Sequence, residues 1–160
     1  MAKDLPRETI SVQLLRMSID ETLFPFEFIV QGTPRSLQSD NKQAKRDWKD
    51  TVNAAAQERQ LETYPLGFLD VRPLAVTIYY FPVAPIDGDV DNIVKLILDG
   101  MRTIAYPDDH VVERVEVQKF EPGIIWEIED PSPQLAAALD MEPPLVYIRV
   151  TDDLAWRSAR

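Results

Sequence analysis

The sequence predicts an α+β (mixed α/β) fold, a single domain with a small mixed sheet and two main helices. Strand-like and helix-like segments alternate along the chain in the order β-α-β-α-β-β, which is typical of this class. The length of 160 residues suits one domain with its own core. The hydrophobic fraction of 45% and the charged fraction of 28% are those of a globular protein.

The first predicted strand and helix lie in the N-terminal half of the domain. Phe26–Val30 is mostly apolar and aromatic, which favours a strand. Ser39 or Asp40 is expected to cap a helix that runs to about residue 60. Trp48 and Val52 are four residues apart, so both are expected to face the core.

A second strand and a second helix follow. Leu74–Phe81 is β-branched or aromatic at every position from Val76 onward and is the strongest strand prediction in the chain. A helix is expected from about Asp89 to Thr103, because apolar residues recur there at helical spacing. Its predicted buried stripe consists of Val90, Ile93, Val94, Ile97, Leu98 and Met101.

Two further strands are expected at Val111–Phe120 and Leu145–Val150, with an acidic, proline-punctuated segment between them. Within that segment, Ile124–Ile128 is expected to be extended and Pro133–Leu139 to form a helical turn. The predicted organisation is an N-terminal extension over residues 1–25, a domain over residues 26–151 and a C-terminal tail over residues 152–160. The acidic insertion covers about residues 121–144. An edge strand and a short helix both fit Ile10–Leu15.

The composition excludes several classes of protein and of site. No cysteine is present and there is one histidine, so a zinc site or a disulfide framework is not expected. Any metal should be a hard cation bound by oxygen. The chain has neither a membrane-spanning apolar run nor a secretory signal, so we expect a cytoplasmic protein with no membrane partner. The net charge of -10 counts against nucleic-acid binding unless basic residues are clustered.

The residues that are best suited to metal binding or catalysis surround the start of the second helix. Asp89 and Asp91 lie where a loop becomes a helix, and the helix dipole there lowers the cost of crowding anions. Asp109 follows the helix and is able to complete a set of three oxygen ligands for a divalent cation. Lys95 is one turn beyond Asp91. Alternatively, Asp89 is an ordinary N-cap, and Asp91 and Lys95 form an ordinary ion pair on a solvated helix face.

The same segment resembles the RusA-like crossover-junction endodeoxyribonuclease family. The resemblance rests on Asp89-Val90-Asp91-Asn92-Ile93-Val94-Lys95, Asp99-Gly100-Met101, Tyr106-Pro107-Asp108-Asp109 and Val111-Val112. It extends to Val30-x-Gly32-x-Pro34-x-Ser36-x-Gln38 and to Trp48-Lys49, and covers roughly residues 26–120 and the final strand.

The resemblance implies a role for each matching residue. Asp89, Asp91 and Asp109 would bind Mg²⁺ (or Mn²⁺), and Lys95 would be the catalytic lysine. Asp99 would support the site by orienting Lys95. Asp108, the direct neighbour of Asp109, would also have a supporting role and is a weaker candidate than Asp109 for the metal ligand. The implied protein is a homodimer that resolves four-way DNA junctions by paired nicks in DNA recombination and repair.

The predicted DNA contact is a basic stripe on the first helix and the loop before it. It consists of Arg35, Lys42, Lys45, Arg46 and Lys49, although an ordinary solvated helix face has the same pattern. The acidic net charge and the acidic insertion depart from the family. They leave two alternatives, a less selective metal-dependent nuclease and an acidic, non-catalytic interaction protein that retains the fold.

Overall fold

The computed structural model describes residues 24–63, 72–153 and 155–158. The predicted segment Ile10–Leu15 lies outside these residues. Four strands form one mixed sheet in the order β1-β4-β2-β3. Strand β4 lies antiparallel between β1 and β2, and β2 is parallel to β3. The strands are β1 (Phe26–Gln31), β2 (Leu74–Phe81), β3 (Val112–Lys119) and β4 (Leu145–Thr151).

The described residues include three α-helices, which with the sheet confirm the α+β prediction. They are α1 (Lys42–Thr63), α2 (Val94–Gly100) and α3 (Pro133–Leu139). Short 3₁₀ turns are formed by Val90–Ile93, Asp109–Val111 and Ala155–Ser158. None of the described helices combines the length and the apolar character that crossing a bilayer requires.

Three local predictions were wrong. The cap of α1 is neither Ser39 nor Asp40, because the Asn41 carboxamide accepts the hydrogen bond from Ala44 N at 2.9 Å. The second helix is shorter than predicted and is split into a 3₁₀ turn and the α-helix α2. Ile124–Ile128 forms no strand, and its first two residues are exposed.

The sheet separates two hydrophobic clusters. Alternate side chains of the strands pack against α1 and α2 on one face, which we call the helical face. Trp48, Val52 and Ala56 are the buried residues of α1 on that side. The opposite face carries a smaller cluster with Phe81, Phe120 and residues of α3.

Helix α3 is attached to that opposite face by its N-terminus. Ser132 caps the helix by accepting a hydrogen bond from Leu135 N at 3.2 Å, and its hydroxyl donates to Glu27 of β1. Tyr147 of β4 donates to the same carboxylate at 2.5 Å. The predicted helical turn at 133–139 is therefore confirmed, and it fixes the end of the acidic segment to the sheet.

Candidate active site

Asp89 and Asp91 lie at the start of the 3₁₀ turn that precedes α2. Asp89 occupies the N-cap position in extended conformation (φ −74°, ψ 137°), yet its side chain makes no capping hydrogen bond. Both aspartates are exposed, and within the described ranges neither forms an ion pair or a side-chain hydrogen bond. The alternative in which Asp89 is an ordinary N-cap is therefore not what the structure contains.

Lys95 lies between two other carboxylates. Its Nζ is 2.8 Å from Asp99 Oδ1 and 2.5 Å from Asp109 Oδ2. The two aspartate side chains are 22% and 20% exposed, compared with 48% for Lys95. The alternative of an ordinary pair between Asp91 and Lys95 is therefore wrong as well.

These contacts favour the charged form of Lys95. Hydrogen bonds to Asp109 and then to Asp99 raise the pKa of Lys95 above its ordinary value, because both carboxylates favour the charged ammonium. Lys95 is therefore a fixed positive charge at neutral pH.

A tight turn after α2 directs Asp109 towards Lys95. The Tyr106 hydroxyl is buried and donates to Leu98 O at 2.8 Å, and Thr103 N donates to Tyr106 O at 2.7 Å. These bonds fold the chain back over the end of α2, so that the 3₁₀ turn at Asp109 begins beside the helix.

Asp108 has different partners from Asp109. It accepts hydrogen bonds from Arg102 Nη2 at 3.0 Å and from His110 N at 3.4 Å. Arg102 and Asp108 therefore form a second pair at the rim of the site, and Asp109 is the carboxylate that reaches Lys95.

The structure brings the predicted residues together in two groups. Asp99 and Asp109 contact Lys95, whereas the side chains of Asp89 and Asp91, which lie before α2, have no partner among the described residues. Among the described residues, no three acidic, histidine or cysteine side chains converge closely enough to hold a metal ion. What is present is a positive charge between two carboxylates, with the exposed carboxylates of Asp91 and Asp89 four and six residues earlier in the chain.

Two long-range bonds that the sequence did not predict fix the loops around this site. Leu37 N donates to Asn92 O at 2.8 Å, which joins the loop before α1 to the 3₁₀ turn. Ile86 N donates to the Glu121 carboxylate at 3.2 Å, which holds the loop that leads to Asp89. No local pattern marks either bond, because the partners are far apart in the sequence.

The basic stripe adjoins the same region. Lys45 Nζ donates to Leu37 O at 3.1 Å, so the stripe is connected through Leu37 to the 3₁₀ turn. Arg35, Lys42 and Arg46 are exposed, and Lys45 and Lys49 are half-buried. The stripe therefore lies on the helical face, and four of its five cations have no ionic or hydrogen-bonding partner among the described residues.

Comparison with known proteins identifies the family. The family model described as Endodeoxyribonuclease RusA matches residues 31–129, which is more than half of the chain. A search of curated proteins found no match. The chain belongs to the RusA endodeoxyribonuclease family, and the match includes α1, β2, α2 and β3 with every residue of the candidate site.

Proposed function

From membership in this endodeoxyribonuclease family, we propose that the protein is a Mg²⁺-dependent nuclease that resolves four-way DNA junctions by paired nicks. Its cellular role would be in DNA recombination and repair. The observation that carries the proposal is the Lys95 ammonium held between Asp99 and Asp109, in a chain segment whose Asp89 and Asp91 carboxylates have no partner among the described residues.

The donor atoms are of the type that binds a hard divalent cation, although the three aspartates do not converge in this structure and would have to come together around the ion. Asp89, Asp91 and Asp109 supply only carboxylate oxygen, which is the donor that Mg²⁺ and Mn²⁺ prefer. Carboxylates repel one another unless a cation lies among them, and the cation beside Asp109 here is Lys95. Asp89 and Asp91 keep their lone pairs free. We propose that these three aspartates would hold the ion, which when bound supplies Lewis-acid activation of the phosphodiester and of the attacking water.

Lys95 would act through its charge and not as a base. Its raised pKa keeps it protonated at neutral pH, so it is able to stabilise negative charge that develops on the phosphate in the transition state. Asp99 and Asp109 fix the position of Nζ by direct contact. Asp99 would therefore be a positioning residue, since its contact is with Lys95.

The basic stripe would bind the DNA backbone. Lysine and arginine side chains neutralise phosphates and release counterions, and this stripe is continuous with the loop that is bonded to Asn92. A duplex arm that lies along α1 would lead towards the candidate site. From Ile128 onward the acidic segment packs on the opposite face of the sheet, so that part does not cover this approach.

A cleavage assay tests the proposal. A four-way junction, a flap and a linear duplex are each incubated with the protein in Mg²⁺ and in EDTA. Cutting of the junction alone, abolished by EDTA and by Asp91→Asn, is the expected result. The matched control is Asp50→Asn, which removes one exposed charge from α1 and should leave the rate unchanged. Cutting of all three substrates would instead favour a less selective nuclease, and no metal-dependent product would refute the nuclease proposal.

The quaternary structure is tested separately. Paired nicks require two sites, so we propose a homodimer. Light scattering should give twice the mass of one chain of 18.3 kDa. A single-chain mass in the presence of junction DNA would contradict the paired-nick mechanism while leaving single-site cleavage intact.

A further inference from the structure

An apolar pocket lies on the sheet face opposite the helical face. Its volume is about 160 Å³, and its lining includes Phe81, Phe120, Trp126, Leu139 and Met141. The Phe81 and Phe120 rings are stacked at 5.0 Å, and Trp126 meets Phe120 edge-on at the same centroid distance. Trp126 remains 40% exposed. The pocket is therefore built from rigid aromatic rings and is open to solvent.

The size of the pocket limits what it holds. A cavity of roughly 150 Å³ lined by apolar side chains accommodates a benzene ring, so this pocket has room for one aromatic or branched aliphatic side chain. Two large apolar side chains extend from the chain just before Trp126, since Ile124 is 62% and Ile125 100% exposed. Exposed apolar side chains grouped in this way mark interaction surfaces on soluble proteins.

The surroundings of the pocket are negatively charged. Residues 120–148 contain no lysine, arginine or histidine. Glu127, Asp140 and Glu142 are exposed and are direct chain neighbours of lining residues. Within the described part of the chain, none of these three carboxylates forms an ion pair. An occupant therefore meets an apolar floor with an uncompensated acidic border.

We propose that this pocket binds a basic peptide segment of a partner protein, which inserts one aromatic or large aliphatic side chain. The acidic border attracts lysine and arginine on either side of that anchor and accelerates encounter with such a partner. The same border repels nucleic-acid phosphates. It also disfavours a second copy of this chain, whose net charge is -10. The pocket is thus a protein-docking site on the face away from the DNA.

Fluorescence anisotropy with labelled peptides tests this docking site. The first probe is a heptapeptide with tryptophan at its centre and lysine or arginine at the other positions. The comparison probes carry alanine at the centre, or glutamate in place of every basic residue. We expect the first probe to bind, and each comparison probe to bind at least about tenfold more weakly. No binding of the first probe, or equal binding of the alanine probe, overturns the proposal.

Two variants test whether the first probe binds in this pocket. Trp126→Ala should weaken binding of the first probe by about tenfold. The combined variant Glu127→Gln, Asp140→Asn, Glu142→Gln keeps the apolar lining and should weaken it by about fivefold at low salt, with a flatter salt dependence. The matched control is Asp40→Asn, Asp50→Asn, Glu58→Gln, which removes the same charge from exposed positions of α1 and the loop before it.

The control variant should change binding by less than about twofold. Equal loss in the control and in the pocket variant would show that net charge alone attracts the peptide, which overturns the proposal. Light scattering of Trp126→Ala tests whether the pocket is instead occupied by a second copy of this chain. If the variant loses a dimer that the natural chain forms, the pocket is occupied by a second copy and the proposal fails.

Discussion

Substitution of Gly100 by alanine should push α2 away from α1 and destabilise the protein. A Cβ at residue 100 would lie 2.7 Å from Val52 Cβ, 2.8 Å from Val52 Cγ1 and 3.0 Å from Lys49 O. Val52 is fully buried. Two of these atoms, Val52 Cβ and Lys49 O, are fixed to the backbone of α1, so no rotamer change relieves the contact and the helices must separate.

The size of the effect follows from two opposing contributions. Overpacking of a well-packed core costs about 1–3 kcal/mol. Replacement of a helical glycine by alanine returns about 0.5–1 kcal/mol. The net destabilisation should therefore be about 1–2 kcal/mol, which corresponds to a fall in Tm of about 2–8 °C for a protein of this size.

Urea unfolding of three variants tests this reasoning. Gly88→Ala is the matched control, because an added Cβ there has no atom within 4 Å, and its stability should be unchanged or about 0.5 kcal/mol higher. The double variant Gly100→Ala, Val52→Gly should be less destabilised than the sum of the single variants, by about 1 kcal/mol or more, because it removes Val52 Cβ and Cγ1, the two atoms closest to the new methyl group. Gly100→Ala as stable as Gly88→Ala, or strict additivity in the double variant, would refute the steric argument.

Three further predictions concern the site and α1. Asp91→Asn should abolish Mg²⁺ uptake in calorimetry and leave the unfolding free energy within about 0.5 kcal/mol, because the side chain has no partner to lose; retention of Mg²⁺ binding would contradict its proposed role as a ligand. The pKa of Lys95 is raised above 10.5, so its stabilising contribution is fully present below that pH and is lost as the pH rises through the raised value. The stability difference between the natural chain and Lys95→Met should therefore be constant from pH 7 to about pH 10 and shrink above it; a decline near pH 8 would show that the pKa is lowered instead. Asn41→Ala should cost about 1 kcal/mol in urea unfolding because it removes the cap of α1, whereas Asp40→Ala should cost almost nothing, and the reverse ranking would restore the cap predicted from sequence.

Most of the sheet and of α1 was predictable because local patterns alone specify them. Leu74–Phe81 alternates between the two faces of the sheet, because Val76, Ile78 and Tyr80 pack on the helical face and Tyr79 and Phe81 on the opposite face. Trp48 and Val52 were expected in the core from their spacing, and both are buried. Where neighbouring residues supply the hydrogen bonds and the buried face, the sequence contains the needed information.

The errors in the second helix occurred where a bond from outside the helix engages one of its terminal residues. The predicted second helix was too long at its start because Asn92 O accepts from Leu37 N, so this carbonyl is engaged outside the helix and the residues before it form a 3₁₀ turn. It was too long at its end because Thr103 adopts a left-handed conformation (φ 68°) and donates to Tyr106 O. Likewise, spacing along α2 identifies Asp99 as a neighbour of Lys95, but only the folded turn brings Asp109 to the same ammonium.

The effect of the net charge on DNA binding has to be considered separately for the two faces of the sheet. A net charge of -10 opposes DNA binding most strongly where acidic and basic residues share a surface. Here α1, with the basic stripe, packs on one face of the sheet, while the pocket and its acidic border belong to the other. Adjacent packed layers are about 10 Å apart, so layers on opposite faces of one sheet are about 20 Å apart, which is more than two Debye lengths at physiological ionic strength. The acidic border is therefore largely screened from phosphates bound at the stripe, and each face is able to attract a partner of the opposite charge.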